Sequence, residues 1–225
     1  MAQTDPQPPK IAYRIRRSQR ARRVRVTVDL ARGVEVVLPR RAPQHEAAAA
    51  IVELRPWIER RLAELERATA TVAARGQAVP YLGTMLRLVP QAGRTRVHRR
   101  GQELLVPDAA QWEPAVERWF RRAAREEISP RLDHACAYAG TSYSQLTIRG
   151  QRTRWASCSR TGVMSFNWRL LLAPEPVLEY VVWHEVCHLE VLDHSPRFWT
   201  LLAKRCPDYR SHVRWLREHG STLVL

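Results

Sequence analysis

The stretch HEVCHLEVLDH, running from His184 to His194, brings three histidines together with Glu185, Glu190 and Asp193. On a helix each residue advances about 100°. His184 and His188 therefore lie about 40° apart on one face, and their imidazoles can converge on one ion. Glu185 flanks that face. It is placed to reach a water activated by the ion and is angled away from the ion itself. This is the logic of H-E-x-x-H: two ligands, then a general base. At this chain's own His and Glu frequencies, such a pattern arises by chance roughly twice in a hundred chains. Its surroundings, LEYVVWHEVCHLEVL, are apolar, so Leu178, Val181, Val182, Val186 and Leu189 are expected in a core. A purely structural helix does not normally bury two histidines and a glutamate there. Satisfied core histidines are the competing reading.

A catalytic zinc takes three protein ligands and keeps one position open. His194 is the expected third ligand, but it cannot share the His184 face if the helix runs on. The chain must turn at Leu192-Asp193, with Ser195-Pro196 opening the next helix. Asp193, Glu190 and Glu218 are rival ligands. Cys187, at an x position of the motif, reads as a buried thiol, and Trp183 and Trp199 as core or pocket wall.

The elements that must position these residues follow from periodicity. Val24, Val26 and Val28 alternate with polar residues, and Val34, Val36 and Leu38 repeat the pattern after a turn, which predicts a hairpin after a short strand at 12–16. Seven arginines between Arg14 and Arg25 would form a basic face on it. Ala47, Ile51, Leu54, Ile58, Leu62 and Leu65 predict an amphipathic helix that Pro56 kinks or divides. Strands return over 78–107, with a turn at Arg100-Gly101. A long helix follows over about 111–139, interrupted at Pro130. Strands at 145–149, 153–158 and 163–170 precede the motif helix, and two short helices near 196–205 and 208–219 finish the chain. The expected organisation is a disordered tail at 1–10, a β-rich region with one helix at 11–108, and an α+β region at 109–225.

The 225 residues are 45% hydrophobic and 26% charged, which suits one or two globular domains. No window holds the ~18 apolar residues of a membrane span, and MAQTDPQPPK does not resemble a secretory signal. A cytoplasmic protein is expected. Cys136, Cys158, Cys187 and Cys206 form no C-x-x-C pair and read as free thiols. The net charge of +15 predicts attraction to polyanions such as nucleic acid. The competing reading is a solvated basic surface.

From Thr147 to Gly220 the chain resembles the YgjP-like metallopeptidase domain, a relative of the SprT-like and WLM zinc proteases. The stretches that carry the resemblance are RWASCSRTGVMSFNWRLLLAP, VVWHEVCHLEVLDHSPRFW and PDYRSHVRWL. IRRSQRARRVRVTV and VPYLG are similar to that family's leading half. The resemblance implies an α+β protein whose C-terminal part is a minimal zincin-like domain, a small sheet packed on the HExxH helix. It implies one zinc per chain held by His184, His188 and His194, with Glu185 as base. The +6 spacing is shared with metzincins, but their glycine position is Val191 here and no methionine follows His194. The chain is therefore not a true metzincin. In zincins an edge strand lines the cleft and pairs with an extended peptide, and the hairpin from Trp155 to Trp168 is the candidate wall.

The leading expectation is thus a zinc-dependent hydrolase acting on a peptide or protein, with Glu185 moving the proton of a zinc-bound water. Arg154, Ser157 and Asn167 are candidates for substrate contact or for tying the hairpin to the helix. Tyr209, His212 and Arg214 are candidates for the second oxyanion donor. One alternative keeps the metal and hydrolyses a nucleotide phosphoanhydride. Another is a DNA-associated protease docked through the basic N-terminal surface. No membrane association is expected, and no oligomeric state follows from the sequence.

Overall fold

The computed structural model describes residues 11–29, 32–110, 112–151 and 154–225. The tail expected at 1–10 lies outside the described residues. Contacts divide the chain into two compact units, Met1–Ala70 and Thr71–Leu225.

The first unit holds three strands, β1 (Tyr13–Ser18), β2 (Arg25–Asp29) and β3 (Gly33–Pro39), and the helix α1 (His45–Glu53). A second helix, α2 (Arg55–Ala73), begins here and crosses the boundary. β3 is central, antiparallel to β2 and parallel to β1. The alternating valines do what their period demands: Val26, Val34, Val36 and Leu38 share a core with Ala47, Ile51 and Ile58. The expected helix is divided between Glu53 and Arg55, just before Pro56, which sits in the first turn of α2, where a missing N–H costs nothing. Arg14, Arg16 and Arg17 are exposed on β1.

The second unit starts with β4 (Ala78–Tyr81), β5 (Thr84–Gln91), β6 (His98–Arg100) and β7 (Glu103–Pro107), in the order β4-β5-β7-β6. The long helix α3 (Glu113–Ala139) follows. Next come β8 (Gln145–Arg149), β9 (Ala156–Cys158) and β10 (Val163–Asn167), in the order β8-β10-β9. A 3-10 turn at Trp168–Leu172 leads to α4 (Glu175–Cys187), α5 (Pro196–Arg205) and α6 (Tyr209–His219). Periodicity placed a boundary near 108–112. By contacts, the sheet at 78–107 falls with the C-terminal unit, because Val79, Leu86 and Leu104 share one core with Val116, Phe120 and Ile128 of α3. An alternating pattern reveals a buried face but not which helix covers it.

Pro130 does not interrupt α3, contrary to expectation. A proline forfeits one backbone hydrogen bond and crowds the preceding turn. Here Ile128 and Leu132 on either side are fully buried, and their packing outweighs that loss.

The small sheet positions the site. β10 is its central strand, with Met164, Phe166 and Asn167 buried. Asn167 N–H donates to Trp155 O at 2.8 Å and Ser159 N–H to Val163 O at 3.0 Å. With Ser157 opposite Ser165, this makes 155/167, 157/165 and 159/163 the hydrogen-bonded pairs. The N–H and C=O groups of Ala156 and Cys158 therefore point away from β10, toward the free edge of the sheet. α4 packs against β9, with Leu178, Val182 and Val186 fully buried.

Candidate metal centre

His184 and Glu185 lie in the last turn of α4, and His188 caps it. There the helix tightens: His188 N–H donates to Glu185 O and Leu189 N–H to Val186 O, both at 3.1 Å. The chain leaves the helix, and Asp193 Oδ1 accepts from Ser195 N–H at 3.1 Å in the turn that opens α5. This is the turn His194 needs. His194 Nε2 comes within 3.0 Å of His184 Nε2, and one ligand atom from each of the three histidines lies within 4.8 Å of the others. Two ligands at 2.0–2.1 Å in a tetrahedral zinc site stand about 3.3 Å apart. Among the described residues, no Asp, Glu or Cys joins this cluster. Glu190 is paired with Arg205, and Asp193 is spent on its turn.

His188 Nδ1 lies 3.0 Å from the Val191 carbonyl oxygen. A carbonyl only accepts, so Nδ1 carries the proton and Nε2 keeps its lone pair for an ion. Rings hold the imidazoles in place. Phe198 stacks on His188 at 4.5 Å, and Trp199 on His194 at 5.5 Å between ring centres. Tyr209 in turn stacks on Trp199, with 5.5 Å between ring centres. The Tyr180 hydroxyl sits 3.5 Å from His184 Nδ1. Burial, then the neighbouring His188 and His194, push His184 down to about 3. Burial also lowers His188. Both are therefore neutral imidazoles, the form that binds metal.

Glu185 is 5% exposed, and its Oε2 has no hydrogen-bond partner. Burial pushes its carboxyl up to about 8, against the opposing pull of Arg154 and of a hydrogen bond from the Cys158 backbone. An unpartnered buried carboxylate oxygen costs free energy unless something polar faces it. Next to the histidine cluster, that oxygen is free to accept a hydrogen bond from a polar group brought to the site. The donor set and the orphaned oxygen both suit a catalytic zinc.

The other expected residues divide into two groups. Arg154 is exposed and lies near enough to lower the Glu185 carboxyl. Ser157 lies on β9. His212 lies beside Tyr180, with 6.1 Å between ring centres. Tyr209 is buried and reaches the histidines through Trp199. Asn167 is occupied by the chain: its Nδ2 donates to Gln151 O at 2.7 Å and Arg154 O at 3.4 Å, and its Oδ1 accepts from Arg169 N–H. Arg214 is exposed on α6. Cys187 is a fully buried thiol, as expected, 3.7 Å from Arg205 Nη1. Two contributors had gone unread. Tyr180 lies four residues before His184, a spacing that could have revealed it. The Cys158 N–H reaches Glu185 across the fold and left no local signal.

The model of the YgjP-like metallopeptidase domain matches residues 22–219. The chain belongs to this family. No curated protein matches it. Among solved structures, the metallopeptidase zymogen of Pyrococcus abyssi abylysin is 23% identical, covering 43% of this chain and 99% of that one, with a TM-score of 0.38. The zymogen of Methanocaldococcus jannaschii jannalysin is 18% identical, covering 39% and 93%, with a TM-score of 0.34. Both scores are too low to establish a shared fold. Membership of the YgjP-like family makes the chain a peptidase-type hydrolase with a catalytic metal, and the three-histidine cluster is the matching feature in this structure. Among the described residues, no helix is long and apolar enough to cross a membrane.

Proposed function

We propose that this chain is a zinc-dependent peptidase in which His184, His188 and His194 hold the metal and Glu185 is the base. One observation carries the reading: three imidazole nitrogens converge while the carboxylate beside them is buried with one oxygen unpartnered. Bound zinc supplies Lewis acidity, which polarises the substrate carbonyl and makes water acidic near neutral pH. Glu185 Oε2 takes the proton of the attacking water and passes it to the leaving amine nitrogen. Burial raises this carboxyl in the metal-free protein; a cation bound beside it would favour the ionised form, which can accept a proton. The Val191 carbonyl and the Phe198 and Trp199 rings keep the imidazoles oriented. His212 is the candidate donor to the developing oxyanion.

An extended peptide adds to the free edge of β9, where the Ala156 N–H and C=O point outward. Arg154 and Ser157 flank that edge. Zinc per chain, measured by elemental analysis, tests the ligand set. We expect near one zinc in the native protein, lost in His184→Ala and in His194→Ala. Metal surviving His194→Ala would reassign the third ligand. Glu185→Gln should keep the zinc and lose peptide cleavage; full retained cleavage would remove Glu185 from the mechanism.

A further inference from the structure

A groove of about 400 Å³ runs between the segment 95–97 and α3, away from the residues of the metal centre. Its floor is apolar: Val97, Ala115 and Trp119 are each under a tenth exposed. Three arginines stand on its rim. Arg118 and Arg122 are one turn apart on α3, about 6 Å along the axis, and Arg96 lies on the other side. Among the described residues, none of the three makes an ion pair. Two carboxylates near the groove are committed elsewhere, Glu117 to Arg121 at 2.7 Å and Glu103 to Arg87 and Arg100; Glu126, one turn beyond Arg122, is exposed on α3 and makes no ion pair with it. Three like charges facing one concave space repel one another until an anion enters.

We infer that this groove binds the phosphate backbone of a single-stranded nucleic acid. A guanidinium fork matches a phosphate in two-point geometry. A single strand is flexible enough to bring successive phosphates into a concavity of about 400 Å³, whereas a duplex is stiff and presents its phosphates on a convex face. Thr95 is the only uncharged polar side chain in the lining, so there is little to read a base. Trp119 is too buried to stack on one. Binding is therefore sequence-independent, carried by charge and steeply dependent on salt. The inference uses none of the metal chemistry and stands or falls separately from the peptidase reading.

The test is fluorescence anisotropy of a labelled oligothymidylate with the full chain, over salt from about 50 to 200 mM. Each phosphate contact contributes about 0.7 to the slope of log affinity against log salt for a single strand. Replacing Arg96, Arg118 and Arg122 together by Gln should flatten that slope by about 2 and weaken binding at least tenfold at about 100 mM. A control with the exposed Arg40, Arg41 and Arg60 replaced by Gln removes the same charge and should retain most of the native slope. Thermal midpoint and zinc content matching the native protein would verify that both variants fold. A native slope in the first variant, or an equal flattening in the control, overturns the groove. A duplex bound as tightly as the single strand, or polyglutamate competing as well as the oligonucleotide, overturns the ligand.

Discussion

At the scale of single residues, His184 and Glu185 are neighbours whose burial acts in opposite senses. In the metal-free protein, burial holds His184 down to about 3 and Glu185 up to about 8. The folded His184 refuses a proton that the unfolded chain accepts below about 6.5. Its contribution to stability is present above 6.5 and is lost as pH falls toward 3. The folded Glu185 keeps a proton that the unfolded chain gives up above about 4.5. Its contribution is present below 4.5 and is lost as pH rises through 8. Between 6.5 and 8 only the Glu185 effect is changing, so metal-free protein should lose up to about 2 kcal/mol over that interval. Urea titrations at several pH values should show this loss in the native chain and not in Glu185→Gln. His184, Glu185 and His188 were legible because one helix period relates them. Cys158 was not, because its N–H reaches Glu185 only through the packing of β9 on α4.

At the scale of elements, the site depends on where α4 stops and α5 starts. Had α4 continued, His194 would have faced away. Asp193 stops this by accepting the Ser195 N–H, and its carboxyl is held below the usual range chiefly by that residue. Asp193→Ala should leave the fold intact and weaken zinc roughly tenfold, the usual scale for losing a group that orients a ligand; competition with a chelator measures it. The seat of α4 is apolar. Leu178→Ala removes a fully buried side chain and should cost about 2–5 kcal/mol, read from denaturant midpoints. The turn at 192–193 followed from the need to bring a third histidine back. Continuity of α3 through Pro130 did not, because local rules penalise proline and only the finished core compensates.

At the scale of the whole molecule, the three histidines, Glu185, the aromatic supports and the edge strand lie within 71–225. A fragment of those residues should fold and bind one zinc with native affinity, as circular dichroism and metal titration would report. A fragment that bound no zinc would mean that the first unit is needed to build the site. The family match, from residue 22 to 219, runs across both units. The unit boundary was not legible, since strands at 78–107 look alike whichever neighbour buries them.

The stack of His194 on Trp199 also makes the centre visible to light. An indole in face contact with an imidazole senses the electron density of that ring. When the ring gives its lone pair to a cation, Trp199 emission should change in intensity and wavelength. The change should vanish in His194→Ala, while the other tryptophans supply a constant background. Loading of the metal can then be followed in real time without any dye, and its speed compared with that of a redox-silent competitor such as cadmium.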